Sequence, residues 1–479
     1  MIKRAAAALS ISLLALPSCS PAPPRPPPTN SGGWFYEIVV GAEAKELSVI
    51  ASFPAGSQEE LTVDDGVDRF VRDLRVARRG TWESVASRAT TWVVPSCRSQ
   101  GCQIRYRFML EEASTTLDDL DLAMAHEGAF IAPPSTWLVR PTAGPVGQPF
   151  RFRVRAPPGV SFVTGVFPSA SEPDTFRADI GDLSSTSYTA FGRLGTSRLT
   201  IGGATLEVAL APGSFAVGER ALFEWIEASA TTVARYYGRF PVPRLALIIV
   251  PTEGSGCGYA KTLGNGGASI LVPVGRRTTL HELREDWVLV HEMTHLAFPS
   301  LPRPHIWLEE GIATYIEPIA RARVGRLPAE AVWEGLVRGL PKGRPAPGDR
   351  GLDVTHSWGR TYWGGALFCF LADVEIRERT QNRRSLDDAL RSILAQGGDV
   401  SVRWELARVL DQGDKSTGVA VLRELHEKMG SYPYDVDLEK LWTRLGVKLI
   451  GRKIEFDDRA PLADIRRAIT GSDTPKLTQ

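Results

Sequence analysis

The residues best suited to chemistry lie in one stretch, HEMTHLAFPSLPRPHIWLEEGIATY, which runs from position 291 to 315. His291 and His295 are four residues apart, so a helix places both imidazoles on one face, within reach of a single ion. Glu292 is rotated off that pair and can contact a water on the ion, which is the position of a general base. Two buried histidines beside a carboxylate can also simply hydrogen-bond to each other. Packing of a strongly apolar helix does not explain two histidines and a glutamate on its polar face, so the motif favours a zinc site.

A zinc hydrolase needs a third protein ligand, and His305, Glu309 and Glu310 are the candidates. His305 fails the metzincin pattern, because the required glycine and the residue three beyond it are replaced by phenylalanine at 298 and leucine at 301. Either glutamate, on a second helix, would complete a His₂Glu set that leaves the fourth zinc position open. Spacing alone does not choose between them.

The segment WLEEGIATY, residues 307–315, resembles the Trp-Leu-x-Glu-Gly-hydrophobic-Ala element of gluzincin peptidases. In that element the glutamate before glycine is the third zinc ligand. The resemblance implies that Glu310 binds one Zn²⁺ per chain with the two histidines, and that Glu309 is its exposed neighbour. Thr314, one turn later on the same face, is a group that supports the ligand, and Glu317 is the alternative.

A second segment, TYWGGALF from Thr361 to Phe368, resembles the Tyr-x-x-Gly-Ala element of the same superfamily. The resemblance implies that the Tyr362 hydroxyl stabilises the oxyanion, with His356 as the second choice. The order of elements is similar to that of the glycyl aminopeptidase family, which joins a β-rich domain to a thermolysin-like domain. The PDZ domain that this family often carries is not expected here.

The elements that must position these residues are predicted from periodicity. Short alternating runs such as WFYEIVV and QIRYRF predict a β-rich N-terminal domain, and helical spacing dominates beyond residue 325. We expect an α+β protein with a mostly helical, thermolysin-like zinc peptidase domain after the β domain. The predicted units are a signal peptide (1–19), a Pro-rich tether (20–33), the β-rich domain (34–211), the catalytic domain (212–451) and a C-terminal strand and helix with a polar tail (452–479).

The glycine-rich stretch GSGCGYAKTLGNGGASI, residues 254–270, bears on the substrate. Aminopeptidases of this superfamily carry a glycine-rich strand whose glutamate binds the free amine of the substrate, and this stretch has no acidic residue. Glycine still permits an extended peptide to approach the backbone closely. The stretch is therefore either a substrate-binding strand without amine selection or a flexible surface loop.

The first nineteen residues predict export. A basic start precedes an apolar run that is too short to span a bilayer and fits a secretory signal. LPSC, ending at Cys19, resembles a bacterial lipobox, although Pro17 departs from the usual small residue. The resemblance implies a lipid anchor on Cys19 in the cell envelope, with Ser20 favouring an outer membrane facing the periplasm. An ordinary signal peptide with an incidental cysteine is the alternative.

The remaining composition narrows the partners. The 56 basic and 55 acidic residues nearly cancel, so a nucleic-acid partner is not expected. Cys97 and Cys102 flank a tetrapeptide between two strand-like runs and predict a disulfide across a hairpin in an exported protein. The sequence as a whole predicts a zinc-dependent peptidase of the cell envelope that acts on peptides or proteins. The alternatives are an inactive peptidase-like lipoprotein that binds peptides and an envelope protein in which zinc is structural.

Overall fold

The computed structural model describes residues 32–144 and 147–471 of the 479-residue chain. Cys19, the predicted signal peptide and most of the predicted tether lie outside these ranges. Within them, none of the helices combines the length and the apolar character that a bilayer crossing requires.

The N-terminal half is built from strands, as the alternating sequence predicts. Its strands are β1 (Trp34–Val40), β2 (Leu47–Phe53), β3 (Glu60–Thr62), β4 (Val71–Arg78), β5 (Thr81–Ser84), β6 (Ser87–Arg88), β7 (Thr91–Val93), β8 (Cys102–Phe108), β9 (Met124–His126), β10 (Ala129–Ala132), β11 (Arg140–Pro141), β12 (Pro149–Arg155), β13 (Ser161–Thr164), β14 (Phe176–Asp179) and β15 (Thr189–Gly192). Three short helices interrupt them: α1 (Ser96–Ser99), α2 (Leu110–Leu117) and α3 (Pro134–Trp137).

These strands form three sheets. A seven-stranded sheet has the order β14-β12-β1-β2-β8-β4-β5, and two four-stranded sheets have the orders β13-β15-β10-β9 and β11-β3-β7-β6. Cys97 and Cys102 form a disulfide with their Cα atoms 4.5 Å apart. The predicted hairpin around it is wrong, because β7 and β8 belong to different sheets and the turn between them contains α1.

The C-terminal half is mostly helical and contains a five-stranded sheet and a two-stranded sheet. Its strands are β16 (Gly195–Ile201), β17 (Ala204–Leu210), β18 (Arg244–Thr252), β19 (Lys261–Leu263), β20 (Ser269–Gly275), β21 (Val447–Ile450) and β22 (Lys453–Phe456). Its helices are α4 (Glu219–Tyr237), α5 (Leu280–Glu285), α6 (Val288–His295), α7 (Ile306–Arg323), α8 (Ala329–Gly339), α9 (Gly365–Arg379), α10 (Leu386–Ala395), α11 (Leu406–Thr417), α12 (Val421–Met429), α13 (Leu438–Leu445) and α14 (Ala463–Thr470). A π-helical segment, Gly359–Gly364, leads into α9.

Strand β18 joins the two halves. It lies in the middle of the five-stranded sheet β16-β17-β18-β20-β19 and is buried on both faces, which explains its continuous apolar sequence, LALIIV. Leu245, Leu247 and Ile249 face the helical core, whereas Ala246 and Ile248 belong to a second cluster shared with β10, β13 and β15. The β-rich region is therefore packed against the face of the five-stranded sheet that points away from the helical core.

Two details of the predicted organisation differ from the structure. Strands β16 and β17 pair with each other, and β17 pairs with β18. The five-stranded sheet of the C-terminal half therefore begins before the predicted boundary at residue 211. The helix predicted through the zinc motif is broken at Asp286, whose carboxylate accepts hydrogen bonds from the Val288 and Leu289 amides at 3.2 Å each and caps α6. With the β-rich half followed by the helical half, the α+β fold class is confirmed.

Candidate metal centre and active site

Three predicted ligands converge where α6 meets α7. The Nε2 atoms of His291 and His295 each lie 3.5 Å from Oε2 of Glu310. Ligands about 2.1 Å from a tetrahedral ion are separated by roughly 3.4 Å, so this triangle of donor atoms fits Zn²⁺. His291 and His295 lie on α6 and Glu310 lies on α7, so helix packing rather than a flexible loop fixes the separation between the histidines and the glutamate.

Charge complementarity is visible in the same triangle. Burial alone would raise the pKa of Glu310 and lower that of His295, but the two groups lie together and each favours the charged form of the other. The pKa of Glu310 is therefore held far below its usual value, and that of His295 is raised to about 9. The carboxylate is therefore ionised, whereas His295 must release its proton when a metal binds.

Glycine sets the distance between the helices that carry the site. Helices α7 and α9 cross at Gly311 and Gly365, where a Cβ added to Gly311 would lie 2.2 Å from the carbonyl carbon of Gly365. A Cβ on Gly365 would lie 1.9 Å from the backbone oxygen of Trp307. Because Gly311 follows Glu310 directly, this backbone contact holds the ligand and the Tyr362 segment at one separation.

Glu292 is held by a residue that the sequence did not single out. The Thr262 hydroxyl lies 2.7 Å from Oε2 of Glu292 and 3.0 Å from the Glu292 carbonyl oxygen, and it donates to one of these acceptors. Thr262 belongs to β19, the edge strand, which pairs antiparallel with β20. The glycine-rich stretch directed attention to this region of the sequence. No sequence pattern, however, links Thr262 to a glutamate thirty residues away.

The ligands line a cavity of about 940 Å³. Edge-strand residues 257–265 form one wall, and Ser185 of the β-rich half also lines it. An apolar wall is formed by Pro318 on α7 and four residues of α8: Ala331, Val332, Gly335 and Leu336. At Gly335 an added Cβ would meet no atom within 4 Å, so this wall leaves room for a side chain.

Tyr362 lies on the π-helical segment and lines the same cavity, with its ring stacked on Trp358 at 5.9 Å. Burial, followed by the charge of Glu310, raises the pKa of the Tyr362 hydroxyl, so the phenol stays protonated and can donate. Thr314 also lines the cavity, although no hydrogen bond from it to Glu310 occurs among the described residues. His356 is exposed and lies outside the cavity lining.

The predicted exposure of Glu309 is wrong. Its side chain is partly buried beside the site, where Oε1 accepts a hydrogen bond of 2.9 Å from the Leu301 amide. Burial raises the pKa of Glu309 to about 7. Glu317, the alternative to Thr314, is paired with Arg321 at 3.0 Å. Glu310, rather than Glu309, is the carboxylate directed at the two histidines.

No family model and no curated protein matches the sequence. The fold, in contrast, is similar to those of solved zinc metallopeptidases. An aminopeptidase N family protein from Idiomarina loihiensis aligns with a TM-score of 0.65 at 14% identity, over 87% of this chain and 78% of that chain. An M1 zinc metallopeptidase from Deinococcus radiodurans aligns with a TM-score of 0.53 at 17% identity, over 84% and 95% of the two chains. A mutant M1 zinc metallopeptidase from the same organism, bound to a Tyr-Ser-Ala substrate, aligns with a TM-score of 0.53 at 15% identity, over 84% of this chain and 94% of that chain.

These similarities define a class: the chain has the two-domain fold of the gluzincin zinc peptidases. More specifically, the similar structures are M1 proteins, so the predicted gluzincin resemblance is confirmed for the fold. The narrower resemblance to the glycyl aminopeptidase family stays a prediction.

Proposed function

We propose that this protein is a zinc-dependent peptidase that hydrolyses peptide bonds with Glu292 as general base. The observation that carries the proposal is the convergence of His291, His295 and Glu310 beside Glu292 in one cavity. When bound there, zinc would act as a Lewis acid toward the scissile carbonyl and would acidify the attacking water.

The residues of the chain supply the rest of the reaction. Glu292 takes the proton of the attacking water and later delivers it to the leaving amine, while Thr262 keeps its carboxylate in place. Tyr362 donates a hydrogen bond to the oxygen of the carbonyl as negative charge develops on it. The edge strand β19 offers backbone groups to an extended substrate, as sheet edges do in other peptide complexes.

We further propose that the enzyme cleaves internal bonds rather than releasing amino-terminal residues. Four carboxylates line the cavity in the described residues, and each is already engaged. Glu310 faces the histidines, and Glu292 accepts from Thr262. The other two are bound to the Leu301 amide and to Arg321, respectively. Among the described residues that line the cavity, no carboxylate is left to pair with a free substrate amine, so we expect an N-acetylated peptide and its free-amine counterpart to be cleaved equally well.

The test of the peptidase proposal is Glu292→Gln, assayed on a mixed peptide library with zinc measured by mass spectrometry. We expect hydrolysis to fall by at least about 10²-fold, because a positioned general base contributes that much or more. Zinc content should not change. Glu285→Gln, the same substitution on the exposed surface of α5, is the matched control and should retain full activity. Equal activity in the Glu292→Gln variant would show that Glu292 is not the base, and zinc without hydrolysis in the wild type would indicate a binding or structural role.

Location in the cell envelope also stands as a proposal, supported by the predicted signal and the lipobox-like sequence at Cys19. Radiolabelled palmitate should enter the wild-type chain and not the Cys19→Ala variant when both are expressed in a bacterium that processes lipoproteins. Labelling of neither chain would leave an ordinary signal peptide as the better explanation.

A further inference from the structure

His305 finds partners in a cluster away from the catalytic centre. Its Nδ1 atom lies 2.9 Å from Oδ1 of Asp353, and Nε2 of His426 lies 2.8 Å from Oδ2 of the same carboxylate. The three donor atoms lie within 4.8 Å of one another. Two imidazole nitrogens and one carboxylate therefore converge from three separate parts of the chain, so this His₂Asp cluster offers the same kinds of donor group as the His₂Glu centre.

The backbone holds this cluster in place. The Leu352 amide donates to the Met429 carbonyl at 2.8 Å, and the Asp353 amide donates to the Gly430 carbonyl at 2.9 Å. The loop carrying Asp353 is thereby fixed to the end of α12, the helix that carries His426. An added Cβ on Gly430 would lie 2.6 Å from Nε2 of His426, so glycine at this position leaves room for the imidazole.

Trp307 supports both remaining sides of the cluster. Its indole N–H donates to Oδ1 of Asp353 at 2.9 Å, and its ring lies parallel to the His426 ring with centroids 6.4 Å apart. Carboxylates and imidazoles that bind metals are commonly held by such outer hydrogen bonds.

The cluster is also accessible. The side chains of His305, Asp353 and His426 are 22%, 16% and 26% exposed, so an ion and a water ligand can reach them from solvent. Imidazole and carboxylate donors suit zinc, which takes three protein ligands and a water in tetrahedral geometry. For this to occur, each histidine adopts the tautomer whose proton is on the nitrogen facing away from Asp353. The N···O distances of 2.9 and 2.8 Å, which are those of hydrogen bonds, then lengthen toward the roughly 3.4 Å between zinc ligands.

We propose that His305, Asp353 and His426 form a second zinc site, separate from the catalytic centre. Because His305 immediately precedes α7, an ion here would link the start of the Glu310 helix to α12 and to the loop between them. Its role is to fix that helix, not to contact substrate. The inference is independent of the proposed peptidase activity.

The test is zinc stoichiometry of the purified full-length chain after dialysis against metal-free buffer, measured by mass spectrometry. We expect about two zinc ions per wild-type chain and about one in His426→Phe, which keeps a ring against Trp307 and removes the ligand. Asp353→Asn, which preserves an acceptor for the indole, should also lose one and provides a second variant if the first folds poorly. Peptidase activity at saturating zinc should persist in both, and their midpoints of thermal unfolding should fall.

A variant of the catalytic site separates the two centres. In His291→Phe we expect hydrolysis to be lost while one zinc remains, and Co²⁺ in this variant should give visible absorption that the additional His426→Phe change abolishes. Zinc content unchanged by His426→Phe and by Asp353→Asn, at either one or two ions per chain, would overturn the inference. The cluster would then be a hydrogen-bonded network alone. One zinc that is lost in His426→Phe but kept in His291→Phe would support this site while refuting the catalytic one.

Discussion

Thr262 is the most informative residue to change, because its hydroxyl contacts the proposed general base directly. Thr262→Val preserves the size and the β-branched shape that suit an edge strand, and it removes only the donor 2.7 Å from Oε2 of Glu292. A hydrogen bond to a charged group contributes about 1.5–3 kcal/mol. Since each 1.36 kcal/mol corresponds to about a tenfold change in rate, we expect kcat to fall by roughly 10–150-fold.

The assay is steady-state hydrolysis of an internally quenched peptide, with zinc content measured on the same samples. KM and zinc content should change little, because Thr262 touches neither the ligands nor, in this mechanism, the scissile bond. Thr262→Ser keeps the hydroxyl and should remain close to wild type.

A double-mutant cycle tests whether Thr262 acts through Glu292. If Thr262 acts through Glu292, then Thr262→Val should cost little in a chain that already carries Glu292→Gln, because residues acting as a unit are not additive. Full additivity of the two losses would refute the positioning role. An equal loss in the serine and valine variants would show that packing of the strand, rather than the hydroxyl, is responsible.

Three further changes test the cavity and the core. Tyr362→Phe should lower kcat by about 10²–10³-fold with zinc retained, as loss of an oxyanion donor does, and unchanged kcat would remove Tyr362 from the mechanism. Gly335→Leu should fill the space beside the apolar wall and lower kcat/KM for peptides with large apolar side chains more than for alanine peptides, while Gly335→Ala should have little effect. Equal losses of kcat/KM on both kinds of peptide would count against this wall as a binding pocket. Asp387→Asn should lower the free energy of urea unfolding by about 3–5 kcal/mol, because it leaves Arg323, whose side chain is 4% exposed, without its ion pair; Glu224→Gln in an exposed pair should cost about 0.5 kcal/mol or less. Although burial opposes it, Arg323 lowers the folded-state pKa of Asp387 below 3.8. The difference in unfolding free energy between wild type and Asp387→Asn should therefore be full above pH 4 and should shrink as the pH falls below it. A difference in unfolding free energy that does not change with pH would contradict this.

Local spacing predicted the two histidine ligands, which lie four residues apart on one helix. The resemblance of WLEEGIATY to the gluzincin element predicted Glu310, and the structure places all three ligands together. The helix break at Asp286 was not predicted. The sequence pattern does not distinguish an aspartate on the polar side of a continuous helix from one that caps the start of a new helix, as Asp286 does. The exposure of Glu309 was predicted from the family resemblance, which does not show that the turn between α6 and α7 brings the Leu301 amide to its carboxylate.

Pairings that depend on the tertiary fold had no such signal. Thr262 and Glu292 meet because an edge strand lies beside a helix, and His305 meets His426 although 121 positions separate their numbers. The sequence excluded His305 from the catalytic centre correctly by spacing, but it could not show where the imidazole would go instead. Periodicity fixes which face of an element is buried, whereas the neighbour on that face is decided by how the elements pack.

The contact between Gly311 and Gly365 has a consequence for which substitutions this protein can accept. Ordinary contact begins near 3.4 Å, so a methyl group at Gly311, 2.2 Å from the neighbouring carbonyl carbon, would have to separate the helices by more than 1 Å. A displacement of that size at a reacting centre can cost about 10²-fold in rate. In a random library, substrate preference should therefore drift freely along the α8 wall, where space is open, while these two glycines accept almost no substitution. Positions that tolerate no substitution would therefore identify the distances that the proposed reaction requires.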